Sequence, residues 1–150
     1  MVNEYQSEID KLLALSKTIA IHTVFVHLIP FEKKKLKSNT LPFTLGIVLS
    51  PDDDVSAHWE TIKSFKAIQI MSVQPGFQGA PFLSHTLNKI IELREKEYKG
   101  KIYLDGGINE KTIPIILKNH SLPDALCVGS YLKENTAEKK ELLHRVAGQT

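Results

Sequence analysis

Asp105 closes the run Lys101-Ile102-Tyr103-Leu104-Asp105-Gly106-Gly107, a short apolar stretch that breaks into two glycines. A carboxylate at the C-terminal end of a parallel strand can act as acid, base or metal ligand. It can equally brace the Gly-Gly turn by hydrogen bonding, and the sequence by itself leaves both roles open. Two further junctions resemble this one: Pro75-Gly76-Phe77-Gln78-Gly79 and Gly129-Ser130. Small residues where a strand meets its loop let backbone N–H groups approach a phosphate closely. Any one of the three is also an ordinary tight turn. Three in succession are a stronger signal, because the last strand–loop junctions of a βα barrel commonly form a phosphate site.

Other chemistry-bearing residues read less sharply. Met71 falls at the same strand ends as Asp105, where a single Met serves packing or substrate contact. His22 and His27 are five apart, so on one strand they would face opposite sides, which argues against a shared metal. His58, His85, His120 and His144 fall on expected helices or their ends and read as solvent-exposed. Cys127 reads as a small buried apolar residue.

These residues need elements to position them. Asn3 to Leu15 carries Tyr5, Ile9, Leu12 and Leu13 at helical spacing. Thr18–Ile29, rich in β-branched residues and ended by Pro30, reads as one long strand or a strand running into a short second segment. Residues 31–40 are polar and Lys-rich, a loop or short helix. Phe43–Leu49 reads as the next strand, and Asp52, Asp53 and Asp54 supply a cap for a helix bearing Val55, Trp59, Ile62 and Phe65. Ala67–Val73 is then a buried strand. A helix from Leu83 carries Leu87, Ile90, Ile91 and Arg94, and Gly100 is expected to end it near Tyr98. After the strand at Lys101, Asn109 is an N-cap for a helix with Ile113, Ile116 and Leu117, although Pro114 sits late for a first turn. Ala125–Ser130 is the last strand, and Asn135 with Glu138 resembles a capping box for a helix through Leu142, Leu143 and Val146. Alternating βα units predict a parallel sheet in a single α/β domain over residues 1–150. Four or five strands are too few for a closed eight-stranded barrel, which takes about 200 residues or more, so the pattern reads either as a small open sheet or as the later part of a barrel.

Composition narrows the functional classes. The 150 residues are 42% hydrophobic and 24% charged with a net charge of +2, so neither disorder nor a nucleic-acid partner is implied. The cluster Lys33-Lys34-Lys35 with Lys37 reads as a solvated surface. A single cysteine excludes an internal disulfide framework or a thiolate metal cluster. No apolar stretch approaches the ~20 residues of a membrane span. A soluble, cytoplasmic protein with no membrane partner is expected.

Met71-Ser72-Val73-Gln74-Pro75-Gly76-Phe77-Gln78-Gly79, Leu104-Asp105-Gly106-Gly107-Ile108 and Val128-Gly129-Ser130 together resemble ribulose-phosphate 3-epimerase in order and spacing. The resemblance is specific from about residue 67 to 132, and implies the later strands of a TIM (β/α)8 barrel. It further implies an isomerase of carbohydrate metabolism that removes a proton from C3 of a ketopentose 5-phosphate and returns one on the opposite face. The substrate would be D-ribulose 5-phosphate, the product D-xylulose 5-phosphate. A divalent metal ion (Zn, Fe, Mn or Co) would steady the enediolate. Asp105 matches the residue that is both catalytic and a metal ligand. Met71, Gly76, Phe77, Gln78, Gly79, Gly106, Gly107, Gly129 and Ser130, with Asp105, match positions that hold substrate and phosphate. Here Gln78 and Ala80 stand where the family's loop usually has a Gly and a Gln. The early strands, with a substrate-binding Ser, a His-x-Asp segment and a further His ligand, have no counterpart. Asp105 alone does not hold a catalytic metal. The expectation is therefore the C-terminal two-thirds of such a barrel, with Met1-Val2 matching an internal Met-Val of a longer reading frame. A non-catalytic phosphosugar-binding fragment and another phosphate-binding barrel enzyme are the alternatives, and a homo-oligomer is left open.

Overall fold

The computed structural model describes residues 2–28, 41–76, 79–129, 131, 137–139 and 141, with side chains from residue 7 onward. Helix α1 spans Val2–Leu15 and is followed by strand β1, Thr23–His27. Strand β2 is Thr44–Leu49, and helix α2 is the single turn Trp59–Ile62. Strand β3 (Ala67–Met71) leads through a 3-10 turn at Ser84–Leu87 into α3, Asn88–Glu95. Strand β4 (Lys101–Asp105), helix α4 (Ile113–Leu117) and strand β5 (Ala125–Cys127) follow. The five strands lie side by side in chain order, every neighbouring pair parallel. This is the arc of a partial TIM-type barrel, in which each helix returns the chain to the next strand. Among the described residues no helix is long and apolar enough to cross a membrane.

The register sorts the side chains onto two faces. Leu45, Ile47, Leu49, Ile68, Ile70, Ile102 and Leu104 point to the helix side and are buried with Leu28, Ile62, Ile90, Leu93, Ile113 and Ile116. Burying one such side chain contributes about 1.5–3 kcal/mol, so this layer is the main source of stability. The opposite face carries Phe25 and His27, Gly46 and Val48, Gln69 and Met71, Tyr103 and Asp105, and Cys127. In β3 and β4 burial alternates accordingly: Gln69, Met71, Tyr103 and Asp105 are only half-buried. The Phe25 ring lies across Gly46, where a Cβ would sit 2.5 Å from it, and meets Tyr103 edge-on at 5.3 Å between centroids. Gly46 therefore makes room for an aromatic pair that reaches from β1 to β4.

Several boundaries differ from the sequence reading. The first strand is confined to Thr23–His27, so His22 precedes it and shares no strand with His27. The expected helix through Val55 and Phe65 shrinks to Trp59–Ile62. Two aspartates there serve the loop instead: Asp54 Oδ1 accepts from Ala57 N (2.7 Å), and Asp53 Oδ2 from Ser50 N (2.7 Å). The helix expected from Leu83 begins as the 3-10 turn. Its end is set by Glu97, not Gly100: Glu97 has φ 57°, Tyr98 N donates to Leu93 O (2.9 Å) and Glu97 N to Arg94 O (2.9 Å). That is a Schellman motif with a non-glycine residue in the left-handed position. Gly100 is required for another reason. A Cβ there would lie 2.2 Å from the Tyr98 hydroxyl oxygen and 2.6 Å from the Lys66 carbonyl oxygen. Asn109 does cap, with Oδ1 accepting from Lys111 N (2.9 Å) and Thr112 N (3.2 Å), but it caps the turn before α4. Pro114 is thereby near the start of its helix, where its missing N–H costs nothing. The expected helix start at Asn135, and most of that helix, lies outside the described residues.

Candidate functional site

The C-terminal ends of β3, β4 and β5 are level: Met71 pairs with Asp105, and Asp105 with Cys127. All three side chains leave the same face. The Asp105 carboxylate accepts a hydrogen bond from Gln69 Nε2 at 2.7 Å, and the same amide lies 3.6 Å from Met71 Sδ. Burial pushes the Asp105 carboxyl above its ordinary value, since half-covered apolar walls disfavour the charged form. Cys127 is half-buried at this rim, which corrects the reading of it as a core residue. Its thiol is pushed up, first by burial and then by the neighbouring Asp105 charge. Gln69 was not singled out from the sequence. The available signal was one polar residue inside the apolar run Ala67-Ile68-Gln69-Ile70, two positions before Met71 and so on its face.

The glycine turn after Asp105 is braced by other residues. Ser72 is fully buried. Its hydroxyl donates to Gly106 O (2.7 Å) and lies 3.0 Å from Asp105 O, which also accepts from Ser72 N at 2.7 Å. Gly107 O accepts from Thr112 Oγ1 (2.7 Å) and Asn109 Nδ2 (3.0 Å). With these bonds supplied from outside, the Asp105 carboxylate faces Gln69 and the rim.

Gly106 and Gly107 have φ of 111° and 65°, a conformation that side chains with a Cβ rarely adopt. They also pack against the preceding loop: a Cβ on Gly106 would lie 2.5 Å from Val73 Cγ2, and one on Gly107 would lie 3.2 Å from Phe82 Cβ. The β3 and β4 loops are therefore in contact. Gly76 and Gly79 also have positive φ (102° and 79°) but open surroundings, and Gly129, two residues past β5, is open as well. Phe77, Gln78 and Ser130 lie outside the described residues. Neighbouring β1 and β2 add His27, whose Nδ1 is 3.5 Å from Ser50 Oγ at the same end of the sheet. Further along, Lys89 on α3 donates to the Asp53 carbonyl and Gln74 Nε2 reaches Asp52 Oδ2 at 3.4 Å, tying the β2 and β3 loops together. His58 is half-buried beside α2, His85 and His120 are exposed, and His144 is outside the described residues.

The described residues hold no group of three or more His, Cys, Asp or Glu side chains able to bind a metal ion. At Asp105 one oxygen is already engaged by an amide donor, which a cation would have to displace. These residues by themselves do not fit a divalent ion.

A parallel sheet with a carboxylate and glycine turns at the C-terminal ends of successive strands defines a βα-barrel type of binding rim. Comparison with known proteins narrows the class. The model of the ribulose-phosphate 3-epimerase family matches residues 1–132, and the chain belongs to that family. A ribulose-phosphate 3-epimerase of Bacillus subtilis is 31% identical over 102 residues, covering 65% of this chain and 46% of that protein. One of Eremothecium gossypii is 31% identical over 122 residues, covering 73% of this chain and 50% of that protein. One of Helicobacter pylori J99 is 35% identical over 100 residues, covering 64% of this chain and 45% of that protein. The chain thus spans about half the length of the curated relatives it matches.

Proposed function

We propose that this chain carries one face of a C3-epimerisation site for a ketopentose 5-phosphate, interconverting D-ribulose 5-phosphate and D-xylulose 5-phosphate in the cytoplasm. The observation that carries the reading is Asp105. It is a half-buried carboxylate with a raised proton affinity, held by Gln69 at the strand end that leads into the Gly106-Gly107 turn. In this reading Asp105 takes the C3 proton from one epimer, or delivers it to the enediolate from that side. A raised pKa suits both tasks, because an acid–base group works best when its pKa approaches the working pH. Gln69 fixes the carboxylate's orientation, and Met71 covers the carbon skeleton. Gly76, Phe77, Gln78, Gly79, Gly106, Gly107, Gly129 and Ser130 hold the substrate and its phosphate. Epimerisation needs a second acid–base group on the opposite face, since a single group returns the proton where it found it. Of the neighbours described above, Gln69 does not titrate and the Cys127 thiol is pushed away from the thiolate. The metal and its other ligands, and a homo-oligomer, stay with the whole family fold.

The test is Asp105→Asn, which keeps shape and removes basicity. Turnover falls by about 10²–10⁴, the usual weight of general acid–base catalysis. Solvent deuterium exchange at C3 survives from one epimer far better than from the other. Unchanged turnover ends the assignment. The lack of a metal-holding group among the described residues favours a second reading, phosphosugar binding without turnover. Calorimetric binding of ribulose 5-phosphate with no C3 exchange by the wild-type chain selects it.

A further inference from the structure

At the other end of the sheet, a cavity of about 470 Å³ opens between the starts of β3 and β4. Trp59, Phe65 and Tyr98 supply its aromatic wall, and Lys63, Lys66, Lys99 and Lys101 its charge. A fifth lysine, Lys96, stands with Nζ 5.6 Å from the centre of the Trp59 ring. The floor is fixed: the Tyr98 hydroxyl donates to Phe65 O at 2.9 Å, and the missing Cβ of Gly100 lets the two segments close. Lys63 is paired with Glu60 at 2.7 Å, and Lys99 with Glu97 at 3.7 Å. Lys66 and Lys101 have no ion pair among the described residues. They stand at adjacent positions, with Lys101 N donating to Lys66 O at 3.0 Å.

Five lysines against two glutamates is a local excess of positive charge that a bound anion would relieve. Lysine is a compact point charge suited to phosphate. The cavity is within the roughly 300–1,000 Å³ range of small-molecule sites, which leaves room for more than a single phosphate. The aromatic wall offers a flat apolar surface for a ring. We propose that this cavity binds a nucleoside polyphosphate, its phosphates on Lys66 and Lys101 and its base against Trp59. The site lies at strand starts, whereas Asp105 lies at a strand end, so it is independent of the epimerase reading.

Trp59 is the chain's single tryptophan, so its fluorescence reports directly on the cavity. The 150-residue chain is titrated with ATP, inorganic tripolyphosphate and adenosine. A saturable change is expected with ATP, a weaker affinity for tripolyphosphate, and none with adenosine at the same concentrations. The double variant Lys66→Gln, Lys101→Gln should weaken ATP binding about tenfold or more, as expected for two charge-assisted contacts, with circular dichroism unchanged because both lysines are exposed. Ribulose 5-phosphate should leave the ATP titration unmoved. No saturable change with ATP, or full affinity in the double variant, overturns the site. Equal affinity for tripolyphosphate and ATP overturns the nucleoside part and assigns inorganic polyphosphate.

Discussion

Replacing the rim glycines one at a time by alanine should rank them by what the backbone and its neighbours impose. Gly106→Ala meets two obstacles. Its φ of 111° is unfavourable for any residue with a Cβ, and the new carbon would lie 2.5, 3.0 and 3.2 Å from three atoms of the Val73 side chain. Rotating Val73 cannot relieve this, because both methyls and Cβ are close and a β-branched side chain has few χ1 choices. Strain of about 1–2 kcal/mol and overpacking of about 1–3 kcal/mol together predict a loss on the order of 2–5 kcal/mol. Gly79→Ala keeps the strain (φ 79°) without the clash, for a cost of about 1–2 kcal/mol. Gly129→Ala has open space and no left-handed backbone, so its effect should stay within about ±0.5 kcal/mol. Urea unfolding at fixed pH measures all three, and phosphosugar titration of the folded variants separates stability from binding. If Gly129→Ala proved as destabilising as Gly106→Ala, the contrast drawn between a packed turn and an open one would be wrong. A stable Gly129→Ala with weakened binding of ribulose 5-phosphate would instead mark that position as part of the ligand surface.

Gln69→Leu removes the donor to the ionised Asp105 carboxylate, and should push that carboxyl further up. Because the folded state holds the proton more tightly than the unfolded chain, stability falls as pH rises from the ordinary carboxylate value through the raised one, and is level above it. In Gln69→Leu this fall should extend to higher pH, read by carboxyl NMR titration and by urea midpoints across the acid range; a downward movement of the Asp105 titration would refute the role. Glu97→Gly places glycine in the left-handed position of the α3 terminus, and should raise the unfolding free energy by about 0.5–1 kcal/mol after the entropy cost of glycine. A lower thermal midpoint in that variant would count against the Schellman assignment.

The order of elements was legible because the helix-facing residues of each strand are large and apolar. Ile68, Ile70, Ile102 and Leu104 announce β3 and β4 whatever surrounds them, and all four are fully buried. Boundaries were less legible where local signals compete. Gly100 offers the commonest helix-stop residue, yet the chain turns three residues earlier at Glu97, because Tyr98 must place its hydroxyl on Phe65 O. Its glycine character answers a tertiary contact, and no local pattern distinguishes that use from a cap. The helix expected after the three aspartates fails for a related reason: the carboxylates of Asp53 and Asp54 take loop N–H groups at Ser50 and Ala57, which holds the chain in turns until Trp59.

For the site, residue types were legible and partners were not. Asp105 stands out as a carboxylate at a strand end, and Gly76, Gly79, Gly106 and Gly107 because few residue types satisfy a turn with φ above zero. Gln69 did not, since a lone polar residue in an apolar run acquires meaning only when the register places Tyr103 and Asp105 beside it. Ser72 is the sharper case. Its N–H and hydroxyl take up the carbonyls of Asp105 and Gly106, one strand away and 33 and 34 residues later. That leaves the Asp105 carboxylate free of any bracing duty toward its own turn. A role that looked ambiguous in the sequence is thus divided in the fold: Ser72, Asn109 and Thr112 hold the backbone, and the carboxylate is held by a neutral amide that can orient it without neutralising it.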